Sequence, residues 1–167
     1  MTVAKRLLVI ISILMLNSAT FGDILENIDN ERSKANEFRA QLHTSISSLT
    51  KNAESSRQKM LDLEDRINLL LQEDARRDAA KLDFERVNSI LNDLETITCD
   101  AESKILELDG FFFDSDIITS GYTTGECLGF AIAARIGYEW LTISIQPCFP
   151  KAIEVREKIA ALELYLE

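Results

Sequence analysis

Apolar residues recur with a seven-residue period through the first half of the chain. From Leu42 to Leu70 they form a regular seam, which is the pattern of a helix packed against another helix. A second seam runs from Val87 to Leu108 in a shifted register. Residues 23–109 contain no glycine or proline, which cost a helix interior about 1 and about 3 kcal/mol respectively. We therefore predict long amphipathic helices over residues 23–109.

The most regular part of the first seam is a candidate interaction surface, provided that the chain does not cover it itself. An apolar stripe of this kind binds whichever helix faces it, in the same molecule or in a partner. The candidate residues are Leu42, Ile46, Leu49, Met60, Leu63, Ile67 and Leu70.

A single straight helix over residues 23–109 would be about 130 Å long at 1.5 Å per residue. We therefore favour a helical hairpin over a straight rod. The first candidate for the reversal is Thr50–Ser56, where Ser, Thr and Asn side chains can cap new helical turns. The second candidate is Gln72–Lys81, where the seam is lost.

The last third of the chain has a different composition. Residues 110–167 contain both prolines, every glycine except Gly22, and most of the aromatic residues. The predicted elements are a loop over Phe111–Gly125, a helix over Glu126–Ile145 that ends at Pro147, and a helix over Lys151–Leu166. Thr142–Ile145 is rich in β-branched residues, and a short strand is the alternative there.

Together these elements predict an all-α fold. A long helical hairpin, or a coiled-coil-like N-terminal half, packs with a short C-terminal helical module. Residues 23–167 have the size of one domain, in which residues 23–109 supply the long helices and residues 110–167 an aromatic-rich helical cap.

Residues 1–22 have the order of a secretory signal peptide. Lys5 and Arg6 precede the apolar run Leu7–Leu16, and small residues follow that run. A membrane span needs about 20 apolar residues, so this run is too short for one. Cleavage after Gly22 fits best, and cleavage after Ala19 or Thr20 is the alternative. The chain is thus predicted to be secreted and extracellular.

The charge balance disfavours several classes of partner. The chain has 28 acidic and 18 basic residues and a net charge of −10. Nucleic acids and anionic lipids are bound by clusters of Lys and Arg, and in residues 23–167 no such cluster occurs beyond Arg76 and Arg77. We therefore expect no nucleic-acid partner.

Cys99, Cys127 and Cys148 are candidates for a disulfide, because export permits such bonds. A helix from Cys127 to Gln146 would hold its ends about 30 Å apart, whereas bridged Cα atoms lie within about 7 Å of each other. We therefore predict that Cys99 pairs with either Cys127 or Cys148. The remaining thiol would then be reactive or would join two chains.

Catalytic and metal-binding signals are weak. His43 is the only histidine and has no nucleophile at a meaningful spacing. The adjacent carboxylates of the helical half are typical of a solvated surface, and Asp114 and Asp116 lack the glycine and glutamate that complete a calcium loop. We predict no enzyme activity, no metal and no cofactor.

Leu128–Ile145 combines Gly, Ala and aromatic residues, which resembles a segment that binds membranes. A membrane-active role is therefore a minor hypothesis. Arg135 and Glu139 interrupt it at a spacing that allows an ion pair, so a buried core helix is favoured and no stable membrane span is expected.

For Phe111–Phe113, which cannot all face one core, the favoured interpretation is a loop that closes one end of the bundle.

A signal peptide, a long charged helical half and a C-terminal half with Cys99, Cys127 and Cys148 make up the layout of this chain. In that layout it resembles small secreted insect helical proteins of the TsetseEP type. The resemblance implies an extracellular protein without catalytic residues.

Two functions follow as hypotheses. The main hypothesis is a secreted, non-enzymatic helical protein that binds another protein or itself, with a homodimer as one form. The alternative is an extracellular carrier of a small hydrophobic ligand, because aromatic residues concentrate after Gly110 and such pockets are mostly apolar.

Overall fold

A computed structural model describes residues 20–70 and 75–167 of the protein. Within these ranges the fold is all-α and contains no strand, which confirms the predicted fold class. The helices are α1 (Phe21–Leu69), α2 (Ala75–Asp114), α3 (Thr124–Ile145) and α4 (Cys148–Tyr165). The alternative of a strand at Thr142–Ile145 is wrong, because this segment completes α3.

The chain divides into two compact units, and neither follows the change in composition near residue 110. Unit 1 comprises residues up to Thr44 together with Glu102–Ser144. Unit 2 comprises Ser45–Ala101 together with Ile145–Glu167. Each unit therefore contains one part of α1, one part of α2 and one of the two shorter helices.

In unit 2, α1 and α2 run antiparallel and α4 packs against both. Arg57 of α1 donates hydrogen bonds to both carboxylate oxygens of Glu95, at 3.0 and 2.7 Å, and also to the side-chain oxygens of Asn88 and Asn92. The three acceptors lie on one face of α2, so this arginine holds the two helices in register. The core contains Met60 and Leu63 of α1, Val87 and Leu91 of α2, and Val155 and Ile159 of α4.

The reversal between the long helices lies elsewhere than first predicted. α1 continues without a break through Thr50–Ser56, so the first candidate position is wrong. There the Asn52 amide donates a hydrogen bond to the Ser48 carbonyl at 2.8 Å, which ties a polar side chain to the preceding turn instead of capping a new one. The first long helix ends at Leu69 and the second begins at Ala75. The second candidate, Gln72–Lys81, therefore overlaps the separation of the two helices, and its residues 72–74 lie outside the described residues.

The loop predicted over Phe111–Gly125 is also partly wrong. α2 continues through Gly110 and the three phenylalanines to Asp114. The ring of Phe111 stacks on Phe130 with centroids 6.3 Å apart, and the Arg32 guanidinium lies 5.0 Å from the centroid of Phe112. These contacts offset the helix cost of glycine, which is about 1 kcal/mol.

The helix starts at α1 and α3 are fixed by reciprocal capping. At α3 the Thr123 backbone N–H donates to the Glu126 carboxylate at 2.9 Å, and the Glu126 N–H donates back to the Thr123 hydroxyl at 3.4 Å. Thr20 and Asp23 form the same arrangement at α1. In each pair the hydrogen bonds from the threonine lower the pKa of the carboxyl below its ordinary value.

Candidate functional site

The outward face of α3 in unit 1 displays a stripe of exposed apolar side chains. It consists of Ile136, Trp140 and Ile143, which are four and three residues apart and therefore lie on one side of the helix. Trp140, the only tryptophan of the chain, is 69% exposed. A run of large apolar side chains on a soluble surface is typical of a binding site.

The opposite face of α3 is packed into unit 1. Ala131, Ala134, Tyr138 and Leu141 are all buried there. The helix therefore carries large apolar side chains on a buried face and also on an exposed one. The prediction of a buried core helix over Leu128–Ile145 is confirmed for this face, whereas Ile136, Trp140 and Ile143 remain exposed.

A groove of about 440 Å³ lies between α2 and α3, next to the stripe. Its apolar walls are formed by Leu108 and Phe111 of α2 and by Trp140 and Leu141 of α3, whereas Lys104, Glu107 and Ser144 supply polar groups. This size falls within the range of small-molecule sites, about 300–1,000 Å³. The groove and the stripe share Trp140, so an occupant of either would change the surroundings of the indole.

Gly137 allows α3 to approach α2 closely beside this groove. A Cβ atom at this position would lie 2.2 Å from Cδ2 and 3.1 Å from Cδ1 of Leu108. Any side chain here would push Leu108 away or separate the two helices. The absence of a Cβ at Gly137 thus leaves the space that the Leu108 side chain occupies.

A polar network inside unit 1 holds the α3 backbone beneath the stripe. Asp109 of α2 accepts two hydrogen bonds from Arg39 of α1, at 2.7 and 3.0 Å, and a third from the hydroxyl of Tyr138. Tyr138 is completely buried, so its hydroxyl depends on this acceptor. One carboxylate therefore joins three helices.

The electrostatics of this network follow from its geometry. Hydrogen bonds from Arg39, and secondarily from Tyr138, hold the pKa of Asp109 below its ordinary value, although partial burial opposes them. The pKa of Tyr138 is raised, mainly by burial and then by its bond to the carboxylate. Asp109 is thus charged and Tyr138 neutral at physiological pH.

Arg135 connects the exposed side of α3 to α1. Its guanidinium donates one hydrogen bond to Glu31 and another, of 2.9 Å, to Glu139. The second contact confirms the pairing that the spacing of Arg135 and Glu139 indicates. These charges border the apolar stripe, which gives it a polar rim.

The predicted interaction seam is covered by the chain itself. Leu42, Ile46, Leu49, Met60, Leu63 and Ile67 are each at most 3% exposed, and Leu70 is half-buried. The heptad period describes packing within each unit, because the facing segments of the same chain supply the partner helix. These seam residues are therefore not available to another molecule.

The disulfide predicted for Cys99 is not formed, and none of the cysteines takes part in a disulfide. Cys99 is exposed on α2, whereas Cys127 is buried in unit 1 and Cys148 in unit 2. Burial raises the pKa of the Cys148 thiol. The Cys127 thiol lies 3.5 Å from the Ser120 hydroxyl, in the core at the start of α3.

The residues considered from the sequence for catalysis, metal binding or a membrane span have the following positions in the described part of the chain. His43 is exposed on α1. Asp116 accepts hydrogen bonds from the Ile118 and Thr119 backbone, which makes it a turn residue, and Arg32 pairs with its other oxygen at 3.4 Å. Across residues 20–70 and 75–167, no three His, Cys, Asp or Glu residues are grouped to hold a metal ion. None of the described helices is long and apolar enough to cross a membrane.

Comparison of the chain with known protein families, with curated proteins and with solved structures finds no significant match.

Ile136, Trp140 and Ile143 are surface residues that the residue pattern did not identify. One signal was present: Ile136, Trp140 and Ile143 share one side of the helix, away from the side of Ala131, Ala134, Tyr138 and Leu141.

Proposed function

We propose that the protein is a secreted, non-enzymatic helical protein that acts by binding another protein or a second copy of itself. The observation that supports this most directly is the apolar stripe Ile136–Trp140–Ile143 on the outward face of α3. Interface centres are enriched in tryptophan and are surrounded by polar residues. The stripe has this composition, with Arg135 and Glu139 at its border.

The rigid support beneath the stripe adds to the proposal. Tyr138, Gly137 and Arg135 fix α3 against the neighbouring helix segments through the contacts described above. A preorganised apolar face loses little conformational entropy when a partner binds, which favours affinity.

Trp140 allows the proposal to be tested with the natural protein. Self-association should shift the indole emission to shorter wavelength as the protein concentration rises, with a matching increase in mass by sedimentation. Trp140→Ser should weaken association by tenfold or more, because a central aromatic residue contributes about 2 kcal/mol or more at an interface. For a heterologous partner, the same variant should weaken retention of that partner from the native secretion.

Leu106→Ser is the matched control, because Leu106 is 74% exposed in the same unit but lies on α2. Its association should equal that of the natural protein. The proposal is wrong if the protein remains monomeric at all concentrations and retains no partner from its native secretion. Equal behaviour of both variants would place the interface away from α3.

A second candidate function is an extracellular carrier of a small hydrophobic ligand. The groove between α2 and α3 supports it, because Leu108, Phe111, Trp140 and Leu141 give it apolar walls and a suitable volume. Organic extraction of the protein from its native source should then release a bound lipid or aromatic compound. An apolar dye should quench Trp140 independently of protein concentration, which separates this function from self-association.

Export to the extracellular space is part of the proposal, and the predicted signal peptide lies largely in residues 1–19, outside the described residues. Thr20 lies within them as the N-terminal cap of α1. Cleavage after Gly22 or Thr20 would remove the cap, whereas cleavage after Ala19 would retain it. N-terminal sequencing of the exported protein distinguishes these positions, and a chain that still begins at Met1 would contradict export through this signal.

The TsetseEP-type resemblance remains a proposal that agrees with this function. It rests on the layout of the chain alone.

A further inference from the structure

Unit 2 contains a second cavity, which differs in character from the groove in unit 1. It has a volume of about 380 Å³ and lies between α2 and α4. On α4 its walls are Lys158, Ala161, Leu162 and Tyr165, whose spacing of three and four residues places them on one helix face. On α2 the facing wall includes Asp83, Arg86 and Val87.

The floor of this cavity is apolar. Val87 and Leu162 are almost completely buried and belong to the core of unit 2. Tyr165 is half-exposed and also lines the cavity. A hydrocarbon chain or a ring placed here would lose contact with water and pack against these side chains.

The rim carries two cations from opposite helices. Arg86 pairs with Asp83 at 3.2 Å, and Lys158 pairs with Glu154 at 3.6 Å, each within its own helix. All four side chains are well exposed, and such surface pairs contribute only about 0–1 kcal/mol. Both cations can therefore turn toward an anion in the cavity.

The charge of this lining is unusual for the chain. The whole sequence has 28 acidic and 18 basic residues, whereas the cavity is lined by two bases and one acid. A neighbouring groove in unit 2 has the opposite balance, with Glu64 and Glu85 against Lys81. Among the lining residues the bases therefore outnumber the acids by one, and Glu154, the partner of Lys158, lies outside the lining.

We propose that the α2–α4 cavity of unit 2 binds a small amphipathic anion, with its apolar part over Val87, Leu162 and Tyr165 and its anionic group between Arg86 and Lys158. A medium-chain carboxylate has this chemistry. The site does not depend on the apolar stripe of α3, so it stands independently of the function proposed above.

Isothermal titration of the full natural chain with decanoate tests the proposal. Decanoate should bind, and decanol, which has the same chain without the charge, should bind more weakly. Arg86→Gln and Lys158→Gln should each weaken decanoate about three- to fivefold, as expected for one exposed charge pair. Asp83→Asn should tighten binding, because it releases Arg86 from its partner.

A matched pair of variants locates the ligand. Ala161 lines the cavity and Ala160, its neighbour on α4, does not, yet both are exposed and helical. Ala161→Phe should abolish decanoate binding and Ala160→Phe should leave it unchanged. Lys51→Gln, an exposed charge change on α1 of the same unit, should also have no effect.

The proposal is overturned if decanoate does not bind the natural chain, or if Ala161→Phe and Ala160→Phe bind it equally. It is also overturned if both charge variants bind as the natural chain does. Quenching of Trp140 together with normal binding by Ala161→Phe would assign the ligand to the groove of unit 1 and would likewise contradict this site.

Discussion

Replacement of Asp109 with alanine is expected to lower the free energy of unfolding by about 2–3 kcal/mol at neutral pH. The variant leaves the hydroxyl of Tyr138 buried without its acceptor and removes both hydrogen bonds from Arg39. Urea denaturation followed by circular dichroism measures this change. Asp83→Ala, which removes only an exposed pair within α2, should change stability by less than about 0.5 kcal/mol.

The contribution of Asp109 also has a defined dependence on pH. Its folded-state pKa lies below the ordinary value of 3.8, so its charged form stabilises the fold fully above the unfolded-state pKa. This stabilisation is lost as the pH falls through the folded-state pKa. The stability of Asp109→Asn should therefore lie below that of the natural protein at pH 7 and approach it as the pH falls through the folded-state pKa of Asp109.

Tyr138→Phe separates the two parts of this network. It removes one hydroxyl donor and retains the ion pair with Arg39, so a smaller loss of about 1 kcal/mol is expected. If Asp109→Ala is as stable as the natural protein at neutral pH, the network does not hold the helices of unit 1 together.

Alanine at Gly137 and alanine at Gly110 are expected to change stability in opposite directions. Both glycines lie in helices of unit 1, where alanine is favoured over glycine by about 0.5–1 kcal/mol. A Cβ at Gly110 meets open space, so Gly110→Ala should stabilise the protein. A Cβ at Gly137 would lie 2.2 Å from Leu108, and overpacking of this kind costs about 1–3 kcal/mol.

Gly137→Ala should therefore destabilise the protein by about 1 kcal/mol, after its gain in helix propensity is included. A double-mutant cycle with Leu108→Ala isolates the steric part. In the Leu108→Ala background, Gly137→Ala should become neutral or stabilising. If Gly137→Ala stabilises the natural background as much as Gly110→Ala does, the close approach of α2 and α3 is not tight.

These two sets of variants also bear on the proposed function. Asp109 and Gly137 determine how α3 lies against α2, and Trp140 is on the following turn of α3. A variant that loosens this contact should lower stability and also weaken partner binding, although no residue of the stripe is changed. Trp140→Ser should also weaken binding, but with little loss of stability, because its side chain is largely exposed.

Residue patterns predicted the helices well and their ends less well. The α3 helix was expected over Glu126–Ile145 and spans Thr124–Ile145. Its start follows from local chemistry, because Thr123 and Glu126 cap the first turn within three residues of sequence. The end of α2 was misplaced, since Gly110 signals a stop locally, whereas Phe111 and Phe112 gain contacts with residues distant in sequence.

The candidate site was less accessible to prediction than the helices. The seam from Leu42 to Leu70 was identified correctly as a packing surface, but a heptad period does not tell whether the facing helix belongs to the same chain. Trp140 is predicted to lie on a buried helix, because Arg135 and Glu139 disfavour a membrane span for Leu128–Ile145. The number of helix segments that contact α3 determines which of its sides is buried.

By itself, the sequence determined that this protein is helical. Helix formation depends on neighbouring residues, and the long stretch without glycine or proline and the repeated apolar period are both local features. The tertiary structure alone decided which apolar faces are covered, that Asp109 meets Arg39 and Tyr138, and that the cysteines form no disulfide. Those outcomes depend on contacts between residues far apart in the chain. Local propensity carries no information about such contacts, because they are set by how whole helices pack.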